Sequence, residues 1–400
     1  MRRKSVTNVA RRSIATTSIH HNAGRDIAII GGGVGGLTAA LAFARAGAKV
    51  CVYEQAPALT EIGAGLQITP NGARALNRLG LSAALDATGI AAARIEPMDA
   101  LTGQIITRFS LKNQTPPYRF FHRAALIDLL SRACAARGVK VFLDARIDAI
   151  AADGSFVVGG KTCHPGLTIG ADGIRSGIRG VLNKQEGPFF TGQVAWRAMI
   201  KAPDAAPVAR IWMAPGRHMV TYPLQNGRLN IVAVQERSQW ADEGWHHSDD
   251  PGNLRAAFAD TCWEIKGILG EVDEVKLWGL FRHPVAQHWH RGTIVILGDA
   301  AHPTLPFLAQ GANLAIEDAY VLARCCNENA SVEKALQAYQ NARRGRVVRA
   351  INAANANARN YHLGGTRRQI AHAGLRTMGR FAPDAFLNRM RWLYDHDVTA

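Results

Sequence analysis

The sequence predicts an α/β fold: a parallel-sheet unit near the amino terminus, an inserted β-sheet, and helices that complete the chain. Three observations carry that expectation. An apolar run, a six-residue stretch with five glycines and a helix-periodic segment follow one another from Asp26. A strand-rich block from about Gly187 to Leu280 then breaks the texture, holding six of the eight tryptophans. A buried strand at Thr293–Leu297 and long helical stretches afterwards resume it. A chain of 400 residues is too long for one small core, and a texture that leaves and returns implies a discontinuous domain. The expected division is a basic extension over 1–24, a discontinuous α/β domain over 25–183 and 284–362, an inserted domain over 184–283, and a helical segment over 363–400. Residues 94–120 are expected to join the inserted domain.

Taken in order, Asp26–Ile30 is a short apolar strand, LTAALAFARAG has helical spacing, and KVCVYE is a second strand. That is a β-turn-α-β unit of about 30 residues. A polar segment dotted with Gly and Pro (EIGAGLQITPNG) leads into a helix expected around Ala73–Leu85, and short strands fill 94–120. RAALIDLLSRACAAR, from Arg123, is helical with Gly138 as its stop. Strands follow at Lys140–Leu143, Ala149–Ala152, Ser155–Val158 and Leu167–Gly170, and helices at Asn313–Cys325 and Ser331–Arg359.

In the glycine stretch, G-x-G-x-x-G is met by Gly31, Gly33 and Gly36. The first permits a sharp turn off the strand, the second lets the backbone approach a pyrophosphate, and the third lets the helix pack tightly on the sheet. Val34 and Gly35 complete the turn, and the diphosphate then meets the free N–H groups of a helix N-terminus. Glu54 ends the second strand, 23 residues after Gly31, where a carboxylate can accept hydrogen bonds from both ribose hydroxyls. Gln55 follows it at the same rim. The strand, turn, helix and acid together predict a Rossmann-like dinucleotide site, and an acid there disfavours a 2′-phosphate. FAD and NAD both remain open on these residues alone.

Composition sets further bounds. Hydrophobic content of 48% and charged content of 20% suit an ordinary globular protein with room for a large cofactor. The net charge of +16 sits at the two ends: residues 2–25 carry six basic side chains and no acid, and residues 343–400 carry eleven arginines against Asp384, Asp395 and Asp397. No RRM, zinc-finger or helix-turn-helix pattern accompanies that charge, so a solvated basic surface is favoured and nucleic acid is not expected. The six cysteines form no C-x-x-C pair and no zinc spacing with histidine, so free thiols and no metal are expected. Residues 1–24 lack an apolar core for a secretory signal but have a transit-peptide-like composition. A cytoplasmic location is expected, with organelle targeting left open. The uncharged run 27–44 is broken by its glycines, so no membrane span is expected.

Two more motifs follow apolar strands: ADGIRS with Asp172, and GDAAHP with Asp299. Either alone could be a surface turn, since Asp-Gly is a common turn dipeptide. Placed after the glycine fingerprint in this order, they resemble the group A flavoprotein monooxygenases, with salicylate, 3-hydroxybenzoate and 6-hydroxynicotinate hydroxylases as the nearest likeness. IIGGGVGGLTAAL, EIGAGLQITPNGARAL, FHRAALIDLL, IGADGIRSGIR and ILGDAAHPTLPFLAQGANLAIEDAYVLA carry the resemblance, which runs from about Asp26 to His362. It implies a para-hydroxybenzoate-hydroxylase-like fold, FAD as resident cofactor, and NADH or NADPH as a transient co-substrate, in keeping with the lack of a second nucleotide fingerprint. It implies hydroxylation of a small aromatic ring with O₂ through a flavin C4a-hydroperoxide. By the same likeness Arg123 reaches the FAD phosphate or ribose, Asp172 supports the pyrophosphate region and nicotinamide approach, and Asp299 binds the ribityl chain. The backbone of Gly311, Ala312 and Asn313 cradles the flavin ring, where a helix N-terminus favours the anion formed on reduction.

In GRHMVTYP, His218 and Tyr222 are four apart, an even spacing that puts both on one face of a strand. The stretch is similar to the H-x-x-x-Y pattern of the hydroxynicotinate-type members. A ring is a better nucleophile as phenolate than as phenol, so a base at its hydroxyl accelerates attack; His218 is the candidate base and Tyr222 the relay or anchor. Gln67 and Pro306 match positions that face flavin or substrate in relatives, while His302 reads as a structural, hydrogen-bonded residue. Two other readings stay open: the same scaffold acting on a quinone precursor, an alkene or a drug-like polyketide, or a non-catalytic basic binding protein. The ring, its position, NADH against NADPH, and monomer against homodimer are not encoded in these motifs.

Overall fold

Strand Asp26–Ile30 lies at the middle of a six-stranded sheet, parallel to Lys49–Tyr53 on one side and Leu167–Gly170 on the other. Lys140–Phe142 extends the sheet beyond Lys49–Tyr53, Ile294–Ile296 extends it beyond Leu167–Gly170, and His290–Arg291 closes that edge antiparallel. In this computed structural model residues 21–59, 65–183, 187–238 and 247–400 are described. Residues 1–20 of the expected extension, 60–64 of the polar segment, and Trp240 and Trp245 of the β block lie outside the described residues. Strands buried on both faces read as continuous apolar runs, as parallel strands do, and Ile294–Ile296 is fully buried. Helix Val34–Arg45 packs on helix Gly311–Glu328, so the two ends of the α/β texture meet in one core.

The second sheet has eight strands, in the order His247–Asp249, Val275–Arg282, Phe189–Lys201, Arg228–Glu236, Arg217–Leu224, Val208–Ala214, Arg94–Asp99 and Phe109–Ser110. Its last two strands come from far earlier in the chain, and Arg94–Asp99 makes the sheet's one parallel pairing among the described residues. Helices Pro251–Ala257 and Trp263–Gly270, which the strand-rich texture does not announce, cover one face of this sheet. Leu254, Phe258, Ile265 and Leu269 pack there on Trp196, Trp212 and Met219. The strand alternation then sends His218, Val220 and Tyr222 to the opposite face, toward the first sheet.

The helix expected around Ala73–Leu85 is two helices, Pro70–Arg78 and Ser82–Thr88. Gly80 between them has φ +84°, a left-handed conformation that ends the first helix. Helix Val332–Tyr361 is 30 residues long and is capped by Ser331, whose Oγ accepts from Lys334 N–H. Helices Gly365–Phe381 and Ala385–Tyr394 follow it. Among the described residues no helix is long and apolar enough to cross a membrane, and no group of three or more His, Cys, Asp or Glu is arranged to hold a metal. All six cysteines are unbridged.

Candidate active site

A cavity of about 900 Å³ runs between the two sheets, from the glycine turn to strand Arg217–Leu224. That volume lies toward the upper end of the roughly 300–1,000 Å³ of ligand pockets. Its wall includes Gly31, Gly33, Val34, Gly35, Glu54, Gln55, Gln67, Arg123, Asp172, His218, Tyr222, Asp299, Pro306, Gly311 and Ala312. Fifteen positions spread over nearly three hundred residues thus converge on one space.

Two of the expected cofactor residues, Gly36 and Asn313, do not line it. Gly36 is one turn into its helix, where a Cβ would lie 2.0 Å from the Gly31 carbonyl oxygen; its role is close packing. Asn313 is buried behind the wall as a brace. Its Nδ2 donates to the carbonyls of Gln67 (2.9 Å) and Ala309 (2.6 Å), and its Oδ1 accepts from Thr69 N–H (3.0 Å).

The glycines separate structural from ligand demands. Gly31 has φ +107°, and a Cβ there would sit 2.3 Å from the Ala171 carbonyl oxygen, so the protein itself excludes any larger residue. Gly33 and Gly311 are different: no protein atom lies within 4 Å of a Cβ built on either. Both open on the cavity at the start of a helix that has no side-chain cap. The unpaired N–H groups of the two helices therefore face one space. That is a cradle for an anionic group that approaches the backbone closely, and it fits a dinucleotide with a redox ring at its far end.

Acids punctuate the same wall. Glu54 accepts from Gly32 N–H (2.6 Å) and Ala56 N–H (2.8 Å), which fixes its carboxylate against the glycine turn. Asp172 has one oxygen near Ile178 N–H (3.4 Å), while its buried Oδ1 has no protein partner. Asp299 is accessible from the cavity but enclosed by protein. Burial raises its pKa, while His302 and Arg123 work in the opposite direction. Burial raises that of Asp172 as well. The Gly298–Asp299 turn is held from behind: Gly298 N–H donates to Asp318 (3.1 Å), which also bonds His302 and Arg343.

At the other end, His218 is 2% exposed and packs against Phe307 and Tyr361. Its Nδ1 lies 2.7 Å from His362 Nε2, and His362 Nδ1 lies 2.7 Å from Glu236 Oε1. Burial, and then the neighbouring His362, holds the His218 pKa well below the usual histidine value, so the ring is neutral. Tyr222 stacks on Phe120 at 5.1 Å, and burial raises its phenol pKa. Gln67 accepts from the Tyr118 hydroxyl. Pro306 borders both this cavity and a second one of about 290 Å³, lined largely by apolar side chains such as Ile95, Phe109, Ile211, Met213 and Leu375. In the same loop Ala309 has φ +55°, a conformation costing a non-glycine residue about 1 kcal/mol.

His362, Tyr361 and Arg197 are site residues that the sequence did not single out. His362 is 144 residues from His218, and a lone histidine after a long helix carries no signal. Arg197 also lines the main cavity and lies over the Trp278 ring, 5.1 Å from its centroid.

Comparison with known proteins identifies the family. Residues 25–354 match the FAD binding domain family. The chain is 33% identical over 409 residues to the 3-amino-4-hydroxybenzoate 2-monooxygenase PtmB3 of Streptomyces platensis, covering 96% of this chain and 98% of that protein. It is 31% identical over 389 residues to the 3-hydroxybenzoate 6-hydroxylase of Polaromonas naphthalenivorans, covering 93% and 96%. A salicylate hydroxylase–substrate complex superposes with a TM-score of 0.78 at 23% identity, over 94% of this chain and 96% of that one, which speaks to the fold. With two uncapped helix ends, a glycine turn and three acids around one long cavity, and with relatives of this length and identity, the chain belongs to the FAD binding domain family as an FAD-dependent, NAD(P)H- and O₂-using monooxygenase of the aromatic-hydroxylating kind.

Proposed function

We propose that the protein hydroxylates a small hydroxyarene, of the hydroxybenzoate or salicylate class, whose ring hydroxyl lies at His218 and Tyr222. One observation carries this reading: a neutral, buried histidine and a tyrosine share a cavity wall with the glycine turn and Asp299. Bound in this cavity, FAD would supply the redox chemistry, with NAD(P)H as the hydride source and O₂ as the oxidant. Gly31, Gly33, Val34, Gly35 and the helix end behind them bind its diphosphate. Glu54 and Gln55 bind the adenosine ribose, Arg123 and Asp172 flank the phosphates, and Asp299 holds the ribityl hydroxyls. Gly311 and Ala312 present a helix N-terminus to the ring, with Asn313 bracing that turn from behind.

On the substrate side, His218 takes the hydroxyl proton and Tyr222 orients the oxygen, which makes the ring electron-rich before attack. Gln67 and the Pro306 carbonyl border the ring's other edge. The loop from Pro306 to Gln310 and the buried aromatic wall exclude water from the reacting face.

The apolar second cavity favours an alternative substrate class, a hydroxyarene bearing an apolar arm. Among the described residues no lysine or arginine lines that chamber, and its polar groups include His372, two asparagines and tyrosine hydroxyls, so a carboxylate there would lack a fixed cation. A panel of hydroxybenzoates, salicylates and alkyl-substituted phenols, assayed for NAD(P)H oxidation with product identification, tests both readings. Ring-hydroxylated products from the acids support the first. Turnover confined to alkylated phenols supports the second. Peroxide release with no hydroxylated product from any of them overturns both.

A further inference from the structure

We propose that Glu236, His362 and His218 form a proton relay from the substrate pocket to the surface, which also fixes His218 in the tautomer that acts as a base. The inference rests on the proposed binding of a ring hydroxyl at His218, and it adds two residues that act through that histidine.

The geometry decides the proton positions. Glu236 is the member of this trio open to solvent; its side chain is 53% exposed, against 3% for that of His362, and His218 is buried. A carboxylate can only accept, so His362 Nδ1, 2.7 Å away, carries a proton and donates it. Burial keeps His362 neutral, against the pull of Glu236, so its Nε2 is a bare acceptor. His218 Nδ1, 2.7 Å from that atom, must then be the donor. In a neutral ring this leaves His218 Nε2 with a lone pair, and His218 lines the cavity. An exposed carboxylate thus sets the basicity of a nitrogen two residues away.

The other charged or titratable groups on the surrounding elements are engaged elsewhere or face the cavity: Arg197 lines it beside Tyr222 and lies over Trp278. Arg217 is ion-paired with Asp260, Arg237 lies over Trp196, and Tyr361 presents its ring to His218 at 5.2 Å. The His362 carbonyl is tied to Gly216 N–H at 3.1 Å, which anchors the end of the long helix to strand Arg217–Leu224 and keeps the two imidazoles in register.

The transfer balances without electrons changing hands. The ring hydroxyl proton moves to His218 Nε2, the Nδ1 proton moves to His362 Nε2, and the proton on His362 Nδ1 moves to Glu236, which exchanges with water. One N–H or O–H bond forms for each that breaks. The same path run backward, as product leaves with its hydroxyls protonated, restores both tautomers.

The test uses FAD-loaded protein and 3-fluoro-4-hydroxybenzoate, whose fluorine NMR shift reports ionisation of the ring hydroxyl. In the wild type the bound probe should ionise at lower pH than the free probe. His362→Phe should abolish that shift, moving the ionisation equilibrium by about tenfold or more. It should also lower coupled hydroxylation by about 10²-fold, the lower end for loss of a general base, with FAD content unchanged. His362→Gln, which can accept from His218 and donate to Glu236 but cannot pass a proton on, should keep part of the ionisation shift and lose the rate. Glu236→Leu, at a half-exposed position where folding is not at stake, should reproduce the His362→Phe ionisation curve. Normal probe binding with an unmoved ionisation curve and pH–rate profile in His362→Phe and Glu236→Leu overturns the relay alone. If neither the probe nor other hydroxyarenes bind the wild-type holoenzyme, the ring-binding reading falls and the relay with it.

Discussion

Arg343 offers the sharpest test of how the cofactor-side wall is held. It is 1% exposed, with Nη1 2.6 Å from Glu317 Oε2 and Nε 2.7 Å from Asp318 Oδ1, and both carboxylates are fully buried. Arg343→Met keeps the volume and removes the charge. Breaking a buried pair by deleting one partner costs about 3–5 kcal/mol. Here the lower figure applies, because Glu317 keeps Arg346 and Asp318 keeps His302 and Gly298 N–H. A loss of about 3 kcal/mol, spread over an unfolding entropy of about 2.1 cal/mol/K per residue, is a fall of about 4 °C in Tm for a 400-residue chain. Denaturant and thermal unfolding, both with FAD saturating and fixed, measure it, since bound FAD adds its own stabilisation.

The same network sets a pH dependence. Burial alone would raise the Asp318 carboxyl, but His302 and Arg343 hold it at about 2. Relative to 3.8 in the unfolded chain, that contributes about 2 kcal/mol. A depressed carboxyl pKa stabilises the fold above the unfolded value and ceases to do so as pH falls from about 4 to 2. His218 and His362, buried neutral, add an erosion that begins earlier, as the unfolded chain gains protons below about pH 6.5. In Arg343→Met the acid limb should be shallower, because part of the Asp318 shift is gone. Adding Asp318→Asn should recover part of the lost stability by removing an underpaired buried charge. A single-variant loss below about 1 kcal/mol, with an unchanged acid limb, would refute the reasoning.

Three further outcomes follow from the site. Gly31→Ala places a Cβ 2.3 Å from the Ala171 carbonyl oxygen at φ +107°, a cost of about 3 kcal/mol, and it should yield protein that folds poorly and retains little flavin on gel filtration. Asp299→Ala removes the proposed ribityl partner and should weaken FAD retention about 10–100-fold, the scale of one hydrogen bond to a charged group; equilibrium flavin-fluorescence titration reads this, and wild-type affinity would remove the ribityl role. His218→Ala should keep the flavin and lower coupled hydroxylation by about 10²–10⁴-fold, with NAD(P)H oxidation diverted to peroxide. Unchanged product formation would take His218 out of the mechanism.

Much of the cofactor side was legible in the chain because its geometry is local. The G-x-G-x-x-G turn, its strand, its helix and Glu54 lie within about thirty residues, and backbone sterics plus period-two and period-3.6 patterns determine how they sit. Asp172 and Asp299 each end an apolar strand, so their place at the carboxyl edge of a parallel sheet follows from strand order. The even spacing of His218 and Tyr222 likewise fixes that they share a face. Helix breaks were less legible: one glycine, Gly80, divides a segment whose apolar spacing suggests a single helix.

Pairings between distant segments were decided only by the tertiary structure. Arg94–Asp99 joins a sheet whose other long strands begin almost a hundred residues later, where Met98 packs into the core on one face and Ile95 and Pro97 line the second cavity on the other. Asn313 turned out to be a brace rather than cavity wall, since its helix start must also hold the backbone of Gln67 and Thr69. His362 becomes meaningful only where the end of a 30-residue helix meets strand Arg217–Leu224. A local pattern encodes dihedral angles and faces; it does not encode which buried polar atoms must find each other once water is excluded, and that requirement is what paired His362 with His218.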